Sequence, residues 1–256
     1  MRYLYDYWRI AMKLLNPFLI TPVMLFSAMT FAGEKFESDI ITTSPQKLEI
    51  AFIGHGTLLF YYGEKVIHID PVARYADYSK MPKADLILIT HEHGDHLDPD
   101  SIGKIRKPDT DIVLAEVCSE KIAGGIVMKN GDTKTVKGIQ IEAVPAYNIV
   151  HKRESGQPYH PKNWGNGYVL TFGETRIYVA GDTENIPEMK KLENIDYAFL
   201  PMNLPYTMSP EMVADAIGMF HPKVVYPYHY GRTDPNELLE LMKNKKDCEI
   251  RIRKLR

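Results

Sequence analysis

ADLILIT (residues 84–90) runs straight into HEHGDHLD (91–98), and the rest of the chain is read outward from that junction. The first half is a continuous apolar run, the pattern of a strand buried on both faces. The second packs three histidines and two acids into positions 91–96. Open α/β sheets bind ligands outside the carboxyl ends of their strands, which is where these groups fall. His91 and His93 are two apart, so extended backbone would point both rings the same way. Asp95 and His96 come from the turn that follows. One short turn can hardly aim all four at one ion, but it can serve two adjacent ions. Imidazole suits zinc and similar metals, and a carboxylate adds a harder ligand. Two metals about 3.5–4 Å apart can share a bridging hydroxide as nucleophile.

Such a site needs further ligands, and later strand ends supply candidates. VAGDT places Asp182 just after a strand, and YPYHYG places His229 at the end of another. QPYHPKNWGNGY carries His160 and YNIVHKR carries His151. Any one of them alone is most simply an exposed or hydrogen-bonded polar residue. The repeated placement of hard-to-bury groups after strands calls for a common reason.

Around these residues, short runs such as LEIAFIG, TLLFYYG and KVIHIDP end in Gly or Pro and read as hairpin strands. DIVLAE is a further strand, followed by a helix-like stretch. TVKGIQIEAVPA, GYVLTF, TRIYVAGDT, DYAFLPM (196–202) and KVVYPYHY complete the strands. SPEMVADAIGMF (209–220) is a helix capped by Ser209 with Pro210 at its first position. DPNELLELMKN (234–244) is another, with Asp234 as cap. Strands outnumber the helices between them, which gives a layered α/β fold with a mixed sheet.

HEHGDH resembles the H-x-H-x-D-H signature of the metallo-β-lactamase superfamily. Together IGHGTLLF, IDPV, THEHGDHLD, IYVAGDT and PYHYG resemble its branch of metal-dependent hydrolases related to ascorbate-6-phosphate lactonase and the YtkL-like proteins. The resemblance spans about residues 48–231. It implies a four-layer αβ/βα sandwich of two mixed sheets with the site at one edge. It implies one metal on His91, His93 and a third histidine, a second on Asp95, His96 and His229, and Asp182 between them. Asp95 would also orient the nucleophilic water. YtkL-like relatives carry the third histidine in a PA-x-H context; here the chain reads PAYN, with Asn148 in its place. His160 is then expected to complete the first site, with His151 as runner-up, and Asn148 to contact substrate. The glycines of GNGY would allow the unusual backbone angles of a returning loop.

Other residues carry weaker expectations. His55, in a GHG turn, is expected to have a catalytic, supporting or substrate role, or to be a plain turn residue. Asp70 would hydrogen-bond a ligand imidazole or a backbone group. His68 reads as a half-exposed strand residue. Trp164, Tyr206 and Tyr228 flank the proposed ligands as pocket walls or as aromatic core.

Composition sets limits on function. The chain has 256 residues and a formal net charge of −2, with 45% hydrophobic and 25% charged residues. That is an ordinary globular balance, and it leaves no electrostatic footprint for nucleic acid. The basic C-terminal run KNKKDCEIRIRKLR reads as a solvated end. Cys118 and Cys248 are far apart and in no thiolate-ligand spacing; each reads as a small buried residue, with a disulfide left open. Residues 14–32 carry no charge and follow Arg2, Arg9 and Lys13, ending in Thr30-Phe31-Ala32 before Gly33. This is the layout of a signal peptide (1–32), so export to the periplasm or outside is expected, with a cytoplasmic location as the alternative; an uncleaved anchor, the one case that brings in a membrane, or a segment of the fold are the other readings of the segment. Residues 33–47 read as a polar linker and 48–256 as the hydrolase domain. The expectation is a hydrolase that uses a metal-bound hydroxide on an ester-type bond of a small-molecule substrate, a phosphoric ester or lactone before a β-lactam. Its cofactors would be two divalent ions, zinc by default, with manganese, nickel or iron able to fill the same ligands. A nuclease, a non-catalytic metal-binding protein and a diiron redox protein are the other classes.

Overall fold

The structure, a computed structural model, describes residues 26–31 and 34–255. Two sheets form, each in chain order. The first holds β1 (Phe26–Phe31), β2 (Glu34–Thr42), β3 (Lys47–Gly54), β4 (Thr57–Tyr62), β5 (Lys65–Ile69), β6 (Leu86–Ile89), β7 (Asp111–Ala115) and β8 (Ile126–Met128). The second holds β9 (Thr133–Val136), β10 (Ile139–Ala146), β11 (Gly165–Phe172), β12 (Thr175–Val179), β13 (Tyr197–Pro201), β14 (Val224–Tyr228) and β15 (Glu249–Ile250). Both are mixed. Strands β1 to β5 and β9 to β12 pair antiparallel, all through short connections except the long segment 147–164 between β10 and β11, and β5 to β8 and β12 to β15 pair parallel.

Side-chain alternation sets the layers. In β6, Leu86 and Leu88 join the core between the sheets, while Ile87 and Ile89 join a second cluster on the outer face. That outer cluster is closed by Ile102 and Ile105 of α1 (Pro99–Ile105). A strand apolar on both faces is therefore what this position requires. Between the sheets, Phe52 and Phe60 meet Phe199, with ring centroids 6.4 and 6.2 Å apart. Tyr178 has the opposite parity and meets Phe220 of α2 (Pro210–Phe220) edge-on at 5.8 Å. One helix thus lies outside the first sheet and α2 outside the second, a four-layer αβ/βα sandwich. Ser209 caps α2 by accepting from the Met212 amide (3.2 Å), with Pro210 inside the first turn. The last helix, α3 (Asn236–Met242), starts two residues after Asp234, whose carboxylate accepts from the Asn236 amide at 3.0 Å.

Four regions differ from the sequence reading. Residues 33–47 are not a linker, because Glu34–Thr42 forms β2 in the first sheet. The basic C-terminal run is not simply solvated. Arg253 is buried and pairs with Asp39 of β2 (Nη2 to Oδ2 2.8 Å), and Tyr226 donates to the same carboxylate. A buried carboxylate must be paired to be tolerated, so strand and tail hold each other in place. The helix-like stretch after β7 is a 3-10 turn at Glu116–Cys118. His68 is fully buried rather than half exposed, and burial pushes it down to about 4 even though its ring donates to the Pro82 carbonyl. Both cysteines are free, buried thiols, each pushed up to about 12 chiefly by that burial. The proposed signal segment lies outside the described residues except for Phe26–Phe31. That piece is β1, paired with β2, so a cut before Gly33 would fall between two paired strands.

Candidate metal centre

The carboxyl ends of the parallel strands in both sheets face one another along one edge of the sandwich. The first sheet delivers Asp70 after β5 and residues 91–96 after β6. The second delivers Asp182 after β12 and His229 after β14. His55 comes from the β3–β4 turn, and His160 from the loop before β11. The backbone ties these ends together: the Asn166 amide donates to the Thr90 carbonyl (2.9 Å), and the His229 amide to the His55 carbonyl (3.2 Å). His55, Asp70 and His229 are held at φ of 54°, 46° and 50°, the left-handed region that non-glycine residues avoid. Each such residue costs about 1–3 kcal/mol, so the surrounding packing is what aims these side chains.

Two groups of side chains among the described residues are close enough to hold a metal ion. One is His91, His93, His160 and Asp182; the other is His55, Asp95, His96 and His229. The six-residue cluster therefore divides between them as a short turn would require. Asp182 stands at the centre. Its Oδ2 lies 3.2 Å from His160 Nε2, 3.4 Å from His229 Nε2 and 3.8 Å from His91 Nε2, and its Oδ1 lies 3.4 Å from His96 Nε2. Asp95 Oδ2 lies 3.2 Å from His55 Nε2 and 3.6 Å from His229 Nε2.

Hydrogen bonds behind the rings fix their tautomers. His96 Nδ1 donates to Asp70 Oδ2 at 2.7 Å. The Thr90 hydroxyl donates to the same carboxylate (2.7 Å), so His91 Nδ1, 3.0 Å from that hydroxyl, is the donor to its oxygen. Asn148 does the same for His160. Its Oδ1 accepts from the His160 amide (2.8 Å), which identifies that atom as oxygen, and then from His160 Nδ1 (2.7 Å). In all three rings Nδ1 carries a proton, which leaves Nε2 toward Asp182 as the atom that would take a metal.

Lone pairs gathered round a carboxylate repel one another unless a cation lies between them. His91 Nε2, His96 Nε2, Asp182 Oδ1 and both His229 nitrogens are buried without a hydrogen-bond partner. Buried polar atoms are rarely left so, and a cluster of them matches the donor set of a transition metal. The charges respond accordingly. Burial and the nearby imidazoles hold His91 well below its ordinary value. Burial also opposes charge on His96, but Asp182 and Asp70 outweigh it and push the ring up to about 9. Asp95 and Asp182 resist their own burial through the histidines around them, and both stay far below the usual carboxylate range.

The remaining expected residues are spread more widely. His151 is outside both groups; its Nδ1 donates to Glu184 Oε1 at 2.8 Å. Asn148 was expected at the substrate, yet it is buried and fully engaged, since its Nδ2 donates to Glu184 (3.1 Å) and to the Tyr206 carbonyl (2.9 Å). Tyr228 is not a pocket wall: it is fully buried and bonds the Gly181 carbonyl (3.3 Å). Trp164 is half exposed beside His91 and His93, donating to Glu92 at 2.7 Å. Tyr206 is half exposed and lines the cavity above the site. Gly165 and Gly167 keep ordinary backbone angles. Their need is space: a Cβ at Gly165 would lie 3.1 Å from His91 Cβ, and one at Gly167 only 2.7 Å from the Ala180 carbonyl. Thr90, Arg153, Tyr159 and Glu184 escaped the sequence reading; for Glu184 the reason is that no local spacing marks a side chain whose partners are 30 or more positions away.

A consequence follows for Asn148. Asn148→Ala removes the acceptor that orients His160, so metal affinity is expected to fall about 10–100-fold, the usual cost of losing such a partner. Competition with a chromophoric chelator measures this. An unchanged affinity with a raised KM would return Asn148 to a substrate role.

Comparison with known proteins identifies the family. Residues 49–229 match the β-lactamase superfamily domain. A UPF0173 metal-dependent hydrolase of Thermococcus kodakarensis is 34% identical over 224 residues, covering 79% of this chain and 96% of its own. One from Pelotomaculum thermopropionicum is 30% identical over 224 residues, with 80% and 96% covered. A solved structure described as a metal-dependent hydrolase from Parabacteroides distasonis is 51% identical, with a TM-score of 0.83 over 86% of this chain and all of its own. Igni18, a metallo hydrolase of Ignicoccus hospitalis, shares the fold at 23% identity and a TM-score of 0.65, with 81% and 95% covered. With a domain match over most of its length and relatives of this identity, the chain belongs to the metallo-β-lactamase superfamily and is one of its metal-dependent hydrolases.

Proposed function

We propose that the protein hydrolyses an ester-type bond, a phosphoric ester or a lactone, in a small molecule, and that its site takes two divalent ions, zinc by default. The observation that carries this reading is the sharing of Asp182. One carboxylate reaches both groups: its Oδ2 lies near His91 and His160 of the first and His229 of the second, and its Oδ1 near His96 of the second. Catalytic zinc sites use about three protein ligands and leave one position open. His91, His93 and His160 provide that number on the first side, and Asp95, His96 and His229 on the second.

Divalent ions bound there would acidify a water and stabilise the oxyanion that forms. The chain's own groups do the rest. Asp95 stays ionised, so its carboxylate can accept a hydrogen bond from the attacking water and hold it in line. His55 Nε2, 3.2 Å from Asp95 Oδ2, keeps that carboxylate turned into the site. Burial holds the His55 ring below its ordinary value, although the Asp95 hydrogen bond opposes this, so the ring is neutral at pH 7. Thr90 and Asp70 hold His91 and His96 from behind.

The test is metal analysis of the purified protein, followed by a panel of phosphodiesters, phosphomonoesters, lactones and β-lactams on that metal form. About two ions per chain and turnover of an ester or lactone are expected. Full activity in the metal-free protein, or turnover of β-lactams alone, rejects the reading.

A further inference from the structure

Above the metal centre lies a cavity of about 460 Å³ whose floor includes Asp95, His160, Asp182 and His229. Arg153, Tyr159 and Tyr206 also line it. Nothing in the proposed hydrolysis uses Arg153. It is nevertheless a held side chain. It sits on a small hairpin closed by the Lys152–Pro158 bridge, by the Arg153 amide on the Gln157 carbonyl (2.8 Å) and by the Gly156 amide on the Arg153 carbonyl (2.8 Å). The root of that hairpin is clamped by Glu184. The amides of Ile149, Val150 and His151 all donate to this carboxylate at 2.7 Å, and the His151 ring adds a fourth bond.

The guanidinium lies 5.0 Å above the Tyr159 ring, and its Nη2 donates to the Tyr159 carbonyl at 3.3 Å. Tyr159 in turn meets Tyr206 edge-on at 5.1 Å. Stacking orients the planar fork without consuming most of its five donors. Among the described residues no carboxylate pairs with it. An exposed arginine that is stacked, oriented and unpaired beside a catalytic cavity has the chemistry of an oxyanion receptor.

We infer that Arg153 binds a second, anionic end of the substrate, so that the substrate carries a carboxylate or phosphate away from the bond that is cut. The inference rests on the hydrolase reading for what happens at the floor. The cavity then has two electropositive poles, the ion-loaded floor and the guanidinium, with the Tyr159 and Tyr206 rings packing whatever joins the two anionic groups. A substrate neutral at its far end fills the same space but leaves the guanidinium without a partner.

Equilibrium binding to the metal-loaded protein tests this without any turnover. The probes are butyrate, which has one carboxylate, glutarate, which adds a second at the far end of a similar chain, and 4-phosphonobutyrate, which puts a phosphonate there. Calorimetry is expected to show one or both double-ended anions binding about 10-fold tighter than butyrate, as a charge-assisted pair allows. The tighter of the two names the headgroup. In Arg153→Gln the preference should shrink to less than about 2-fold, and in Arg153→Lys part of it should remain, since charge is kept and the fork is lost. Equal binding of all three probes by the wild type overturns the inference, as does a preference that persists in Arg153→Gln. Loss of the preference in Arg153→Gln, in a protein that cleaves none of the esters or lactones, would reject the hydrolase reading and leave this inference standing.

Discussion

Asp182→Ala is expected to empty the metal centre and abolish activity together. Purified variant protein should hold well under one ion per chain, and turnover should fall by more than ~100-fold, since losing even an outer partner of a ligand costs about 10–100-fold. Four imidazole nitrogens approach this one carboxylate within 3.2–3.8 Å, from strands of both sheets. Without it, four lone pairs converge on one another with no anion to hold a cation among them. Asp182→Asn should behave almost as badly, because an amide keeps the shape but offers one neutral oxygen and two donors that face the wrong partners. Elemental analysis beside kinetics checks both. Two ions retained, with a rate within about 10-fold of wild type, would remove Asp182 from the shared position.

Stripping the metal from the wild type should lower its thermal stability as well as its activity. An ion present at about 100 times its Kd stabilises by roughly 2.7 kcal/mol. For a chain of this size each kcal/mol moves Tm by about 2–4 °C, so a drop of about 5–10 °C is expected. The metal-free protein should also become sensitive to pH. Despite its burial, His96 is pushed up to about 9 by Asp182 and Asp70, from an ordinary 6.5, so its proton stands in for the missing cation. A folded-state value above the unfolded one stabilises fully below about 6.5 and is lost as pH rises through about 9. Metal-free Tm should therefore decline between pH 7 and 9, while the loaded protein, whose His96 carries no such proton, should hold steady. Calorimetric scans of both forms across that range check this. Parallel pH profiles would show that no such proton occupies the site.

Much of the site was legible in the sequence because its densest part is local. His91, His93, Asp95 and His96 come from one turn, and a turn keeps its residues near one another in any fold. The strand before it was legible for a similar reason, since Leu86–Ile89 is apolar at every position and both of its faces are buried. Ser209 and Pro210 announced α2 through a cap that reaches only three residues. Asp182 and His229 could be suspected from their places after strands, but their meeting could not be measured there.

Only the tertiary structure chose between His151 and His160. The two lie nine positions apart in one polar segment, and each ring hydrogen-bonds through Nδ1. Glu184 takes His151 and turns it away, whereas Asn148 takes His160 and leaves its Nε2 to face Asp182. The same holds for β2, which reads as linker because its alternation is weak. Asp39 in that strand becomes a strand residue through Arg253, 214 positions later. Periodicity, capping and close-spaced ligands are set by neighbours along the chain, so the sequence alone determined them. Which distant acceptor satisfies a buried donor depends on which groups folding brings within about 3 Å, and that only the packed structure decided.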